Sequence, residues 1–210
     1  MFYDFQIFYE ICFVKLINTI TVLWCDEFKR NVTKQQTYYS VTTCNEIYNS
    51  FIHLLDAFKV FKEVFFVVVI LEVFQVFLFI MMFAYIIMEQ NSTTNNTNYS
   101  YNLSIASVCL IFVMKKLLQI LTLSTKCEMF YRSIAKIKTL SIKGTLKDSL
   151  AFRRTCKKIQ SKCRLFKKWD SGFFTVDSKL TYNLLSLVAT YFLVLLQFEM
   201  MKTKNKFRHW

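Results

Sequence analysis

The sequence predicts an all-α fold: a multispanning helical membrane protein with about four transmembrane helices and cytoplasmic helical extensions. Three observations carry that prediction. The 210-residue chain is 54% hydrophobic and 18% aromatic, with 23 Phe. It has 2 Gly and no Pro; turns recruit both residues, so their scarcity points to long helices joined by polar loops. The apolar residues also come in blocks of about 20, the length that crosses a hydrocarbon core of ~30 Å.

Four windows qualify as spans. Phe5 to Trp24 is the least apolar and carries Glu10 and Lys15, five apart and poorly placed to pair on a helix. Val64 to Met88 is interrupted only by Glu72 and Gln75. These two lie three apart and share a helix face. A carboxyl group at membrane depth is costly and faces protein or water, so the pair marks either a helix-to-helix hydrogen bond or a ligand or ion pathway. Leu103 to Leu123 is split by Lys115 and Lys116. Those lysines either snorkel to the cytoplasmic interface, the default for long cationic side chains, or line a wet cavity. Tyr182 to Met201 is about 30 Å long as a helix.

The segments between the windows set a topology. Glu89 to Ser104 has no Lys or Arg and holds N-x-S/T sequons at Asn91, Asn95, Asn98 and Asn102. As candidate N-glycosylation sites they make 89–102 an extracellular loop. Segments 28–62 and 125–171 carry the basic residues and read as cytoplasmic. Between Lys126 and Lys168 stand fourteen Lys or Arg against Glu128 and Asp148. Such a block suits the anionic inner leaflet better than nucleic acid, so the lipid bilayer is the expected partner and nucleic acid is not. Both termini then lie outside. The basic tail from Lys202 to Arg208 opposes that placement, but short C-terminal tails are weak topological signals once upstream spans are set. The sequon at Asn31 falls on the cytoplasmic side and goes unused. Tyr48, Phe51, Ile52, Leu55 and Phe58 keep helical spacing. Ile134, Ile137, Leu146 and Leu150 suggest further helix after a break at Gly144. These helices are expected to extend the spans or to pack together beneath the membrane.

Other chemistry finds little support. The cysteines, Cys12, Cys25, Cys44, Cys109, Cys127, Cys156 and Cys163, form no CxxC pair and read as buried or cytosolic thiols rather than a disulfide frame or zinc site. The N-terminus lacks the basic region and small-residue cleavage site of a signal peptide. Only His53 and His209 are present. No H-E-x-x-H, G-x-S-x-G, paired-Asp motif or phosphate-binding Gly loop appears. The chain is therefore expected to be no enzyme and to hold no metal or cofactor.

The last window carries a polar pattern. Asn183, Ser186, Thr190 and Gln197 are separated by three, four and seven residues, which places them on one stripe of an otherwise apolar helix. Polar groups in lipid must find partners or water. Either the stripe packs against another helix, or several copies enclose a water-filled pore.

The end of the chain resembles a known family. Insect gustatory receptors close on a Thr-Tyr pair, five mostly hydrophobic residues and Gln-Phe. This chain has Thr190-Tyr191, then Phe192 to Leu196, then Gln197-Phe198. Upstream, Gly172-Phe173-Phe174-Thr175-Val176-Asp177 is similar to the segment that opens that family's last helix. The resemblance implies a gustatory chemoreceptor in the plasma membrane, a ligand-gated non-selective cation channel answering a small-molecule tastant. It implies a seven-helix subunit with a cytoplasmic N-terminus and an extracellular C-terminus. Such subunits form homo- or hetero-tetramers whose last helices line a central pore. The four windows would be the fourth to seventh helices. Gln197 and Phe198 would sit at or near the gate, with Thr190 and Tyr191 steadying the helix. Family members are about twice this length, so the resemblance implies a truncated form. Two other readings stay open. Insect odorant receptors share the architecture, although the full Thr-Tyr to Gln-Phe pattern favours the gustatory branch. A non-channel membrane scaffold could use the basic segment as an interaction surface.

Overall fold

A computed structural model describes residues 2–33, 40–92, 96–170, 172 and 174–207, with the side chains of 2–7, 87–92, 96–106, 109, 192, 195–196 and 198–207 left aside. The described residues form five helices: α1 (Phe2–Thr33), α2 (Val41–Ser92), α3 (Asn96–Gly144), α4 (Leu150–Leu165) and α5 (Leu180–Phe207). Two of them are long and apolar enough to cross a membrane, over Phe8–Thr33 and Val41–Ile86.

The helices outrun the apolar windows. The 52 residues of α2 span about 78 Å at 1.5 Å per residue, more than twice the thickness of a hydrocarbon core. Window 64–88 and the helix expected near Tyr48–Phe58 thus belong to one continuous helix. The same holds for 103–123 and the segment after it in α3. With no Pro to remove a backbone donor, nothing interrupts helix propagation. Within the segment 89–102, residues 89–92 and 96–102 are helical. Asn91 lies in the last turn of α2 and Asn98 and Asn102 lie in the first turns of α3, while Asn95 is outside the described residues.

The chain divides into two compact units, 1–66 with 123–177 and 67–122 with 178–210. The first unit has an aromatic core. Phe58 stacks on Phe130 with ring centroids 4.1 Å apart, and Trp169 meets Phe61 edge-on at 5.5 Å. Phe28 lies 6.2 Å from Phe152 of α4. Helix α1 runs antiparallel to the start of α2, with Phe13 on Phe61 at 5.7 Å and Trp24 on Phe51 at 5.2 Å. The Asn18 amide donates to the Lys126 carbonyl at 2.7 Å. The window 5–24 therefore packs, from Phe13 on, against segments expected to lie in the cytoplasm. Helix α3 ends at Gly144, where α4 packs close against it. A Cβ at Gly144 would fall 2.5 Å from Cys156 Sγ and 3.3 Å from Phe152 Cε1.

Among the described cysteines, Cys12, Cys25, Cys44, Cys127, Cys156 and Cys163 are free thiols. Burial pushes Cys127 up to about 12, Cys156 to about 12 and Cys163 to about 11. Native packing thus disfavours their thiolates, whereas an unfolded chain ionises them from about pH 8.5 upward. The stabilisation is complete below that pH and is lost as pH climbs through the folded values. We expect these three thiols to resist iodoacetamide at pH 8 in the folded protein, and the melting temperature to fall between pH 8 and pH 11. Rapid alkylation of all three before unfolding would show that they are not buried.

Candidate functional site

The second unit contains 67–92 of α2, 96–122 of α3 and all of α5. Its most polar internal feature is an ion pair. Lys116 Nζ lies 3.1 and 3.3 Å from the two carboxylate oxygens of Glu72. Lys116 is 2% and Glu72 4% exposed, and the Lys116 ammonium lies 5.8 Å over the Phe112 ring. Lys115 faces outward, but Lys116 does not snorkel. A cation removed from water needs a counter-charge, and the Glu72 carboxylate supplies it within the unit. Glu72 is thus a bridge between helices, and Gln75, one turn on, is half-buried.

Helix α5 packs through Leu180, Thr181 and Leu184, all buried. Tyr191 touches Phe77 edge-on at 5.8 Å and is otherwise half-exposed. Asn183, Ser186, Thr190 and Gln197 are all exposed. At about 100° per residue the polar stripe lies about 110° round α5 from Leu180 and Leu184. The stripe does not pack against α2 or α3. Thr190 Oγ1 donates to the Ser186 carbonyl at 2.9 Å, so this hydroxyl is satisfied within its own helix. Phe198 lies in α5, with its side chain outside the described set.

The Gly172–Asp177 segment belongs to the first unit and forms a small hairpin. Asp170 bridges to Thr175, and the Gly172 N–H donates to Asp170 Oδ1 at 2.9 Å. Gly172 has φ +84°, a conformation that glycine adopts without a Cβ penalty. Phe173 is outside the described residues. The Val176 N–H donates to the Trp169 carbonyl at 2.8 Å. Tyr131 of α3 clamps both arms: its hydroxyl accepts from the Trp169 N–H at 3.1 Å and donates to the Val176 carbonyl at 3.1 Å. Burial pushes the Tyr131 hydroxyl well above the usual tyrosine range. Lys168 lies 5.3 Å over the same ring, with its ammonium 3.7 Å from Glu128 and 3.8 Å from Asp177.

The structure thus joins Glu72 to Lys116 and keeps Asn183, Ser186, Thr190 and Gln197 together on one exposed face. It does not bring Glu72 to that face. Two residues escaped the sequence reading, Lys116 as the partner of Glu72 and Tyr131 as the clamp on the segment that leads into α5. Among the described residues no three His, Cys, Asp or Glu side chains converge as metal ligands would. No family model, curated protein or solved structure matches the chain.

Proposed function

We propose that this chain is a membrane-embedded subunit of a chemoreceptor channel of the insect gustatory type, a ligand-gated non-selective cation channel of the plasma membrane. The observation that carries the reading is the exposed polar stripe of α5. A helix whose remaining exposed positions include Leu185, Leu187, Leu193 and Val194 suits lipid, but the amides of Asn183 and Gln197 do not, because polar groups in hydrocarbon need partners or water. A water-filled axis formed by four copies of α5 resolves the conflict. In such a tetramer Gln197 would contribute amide groups to the constriction, and Phe198 an apolar plug that gates by dewetting. A small-molecule tastant is the ligand of this reading.

The membrane segments of this reading are 64–88, 103–123 and 182–201. The packing of α1 from Phe13 onward on Phe61, Phe51 and Lys126 leaves too few residues before Phe13 to cross a core of ~30 Å, so 5–24 enters the membrane only in part.

Cysteine substitution tests the pore. With the chain in membranes, Cys at 183, 186, 190 and 197 should react with water-soluble methanethiosulfonates, and Cys at 185 and 188, more than about 120° round the helix from the middle of the stripe, should not. Equal reactivity of the two sets would remove the pore-lining role. In cells where the subunit carries tastant-evoked current, Gln197→Ala should alter gating or leak at unchanged surface level. Unchanged dose–response curves would count against a gate at Gln197.

A further inference from the structure

We propose that the outward face of α4 is a docking surface for an acidic polypeptide segment. Helix α4 buries Phe152, Thr155, Cys156, Ile159 and Cys163 and turns Arg153, Arg154, Lys157, Lys158, Lys162 and Arg164 outward. No Asp or Glu occurs between Asp148 and Asp170. None of the six cations forms an ion pair with a described carboxylate; the one recorded contact is the Lys158 ammonium, 5.6 Å over the Tyr48 ring.

Their arrangement is ordered. At about 100° per residue the cations form two rows, Arg153–Lys157–Arg164 and Arg154–Lys158–Lys162. Exposed Leu150 and Leu165 and the Ser161 hydroxyl lie between the rows. Arg153/Lys157, Arg154/Lys158 and Lys158/Lys162 are like-charged pairs four residues apart, which destabilise a helix. An anionic partner relieves that repulsion on binding. Two cationic rails about an intermittently apolar midline fit a segment that alternates carboxylates with apolar side chains.

The start of α4 lies against Gly144, where Phe152 closes the α3 end, and Phe166 reaches Phe130 at 5.7 Å, so α4 runs antiparallel to 130–144 of α3 with all six cations on its open side. The exposed Leu150 and Leu165 favour a polypeptide, whose side chains meet both charge and apolar surface, over a layer of headgroup phosphates.

The test uses the full chain in phosphatidylcholine nanodiscs, and recovery in those discs checks the membrane reading separately. A fluorescein-labelled peptide of alternating Glu and Leu pairs is titrated by anisotropy, beside an oligouridylate of equal length. Phosphatidylserine vesicles are tested by flotation. The comparison variant is Lys157→Glu/Lys158→Glu, which changes one residue in each row and gives each new carboxylate a cation four residues away. It should therefore melt no lower than the native chain. We expect the peptide to bind the native chain and to weaken about tenfold or more in the variant and on raising salt from about 50 to about 300 mM. It should also raise the melting temperature of the native chain and not that of the variant. Peptide binding that is absent, or equal in both proteins, overturns the proposal. So does discrimination between the two proteins by oligouridylate or vesicles without discrimination by the peptide, which would make the face a nucleic-acid or lipid surface instead.

Discussion

Replacing Lys116 with Met while Glu72 remains is expected to destabilise the fold by about 3–5 kcal/mol, the cost of an uncompensated buried charge. Glu72→Leu alone should cost about the same for the mirrored reason. The pair itself contributes far less than either loss suggests, because both groups pay desolvation before they attract. The double substitution Glu72→Leu/Lys116→Met should therefore recover most of the stability, or exceed it. The exchanged pair Glu72→Lys/Lys116→Glu should recover part. Denaturant or thermal unfolding in mild detergent measures all four, and the cycle isolates the coupling. Single variants that each lose less than about 1 kcal/mol would mean that water reaches both groups.

Tyr131→Phe removes one hydroxyl and strands two backbone groups, the Trp169 N–H and the Val176 carbonyl. Each buried group left unsatisfied costs about 1–3 kcal/mol, so a total loss of about 2–6 kcal/mol is expected. The ring contacts survive in Phe, which makes the change a test of the hydroxyl rather than of packing. Two local readouts should move with stability: faster amide exchange at Trp169 and Val176, and faster tryptic cleavage after Lys167 and Lys168. Unaltered exchange at both amides would show that the 170–175 hairpin holds itself without the clamp.

The two sites differ in how far the sequence revealed them. Glu72 and Lys116 each lie 22 residues from residue 94 (94 − 72 and 116 − 94), in the segment that separates two long apolar windows. Two antiparallel helices folding back about that point bring opposite charges level. The pairing was thus legible, and the snorkelling expectation missed it by treating each window alone. Tyr131 offered no such signal. Its partners are backbone groups 38 and 45 residues away in an irregular segment where no periodicity applies. For α5, spacing placed Asn183, Ser186, Thr190 and Gln197 on one stripe but could not say which way the stripe turned. Burial of Leu180, Thr181 and Leu184 decides that, and it is set by tertiary packing rather than by local pattern. The helices themselves were visible because no Pro interrupts them. Their full lengths were not, because the Asn, Ser and Thr residues at 91–92 and 96–102 are weak helix formers in isolation, and helix propagates into them from the apolar stretches on either side.

The placement of tryptophan gives the molecule a built-in optical reporter. Trp24 and Trp169 both belong to the aromatic core of the first unit, Trp24 stacked on Phe28 at 4.9 Å and Trp169 edge-on to Phe61. Trp210 falls outside the described residues, and neither 67–122 nor 178–207 contains one. Intrinsic emission is therefore weighted toward the first unit, whereas far-ultraviolet circular dichroism reads helix in both. If the two signals lose their native values at the same denaturant concentration, the chain unfolds in one cooperative step. If emission changes at a different concentration from the dichroism, the two units come apart separately, and the fluorescence midpoint belongs to the aromatic bundle alone.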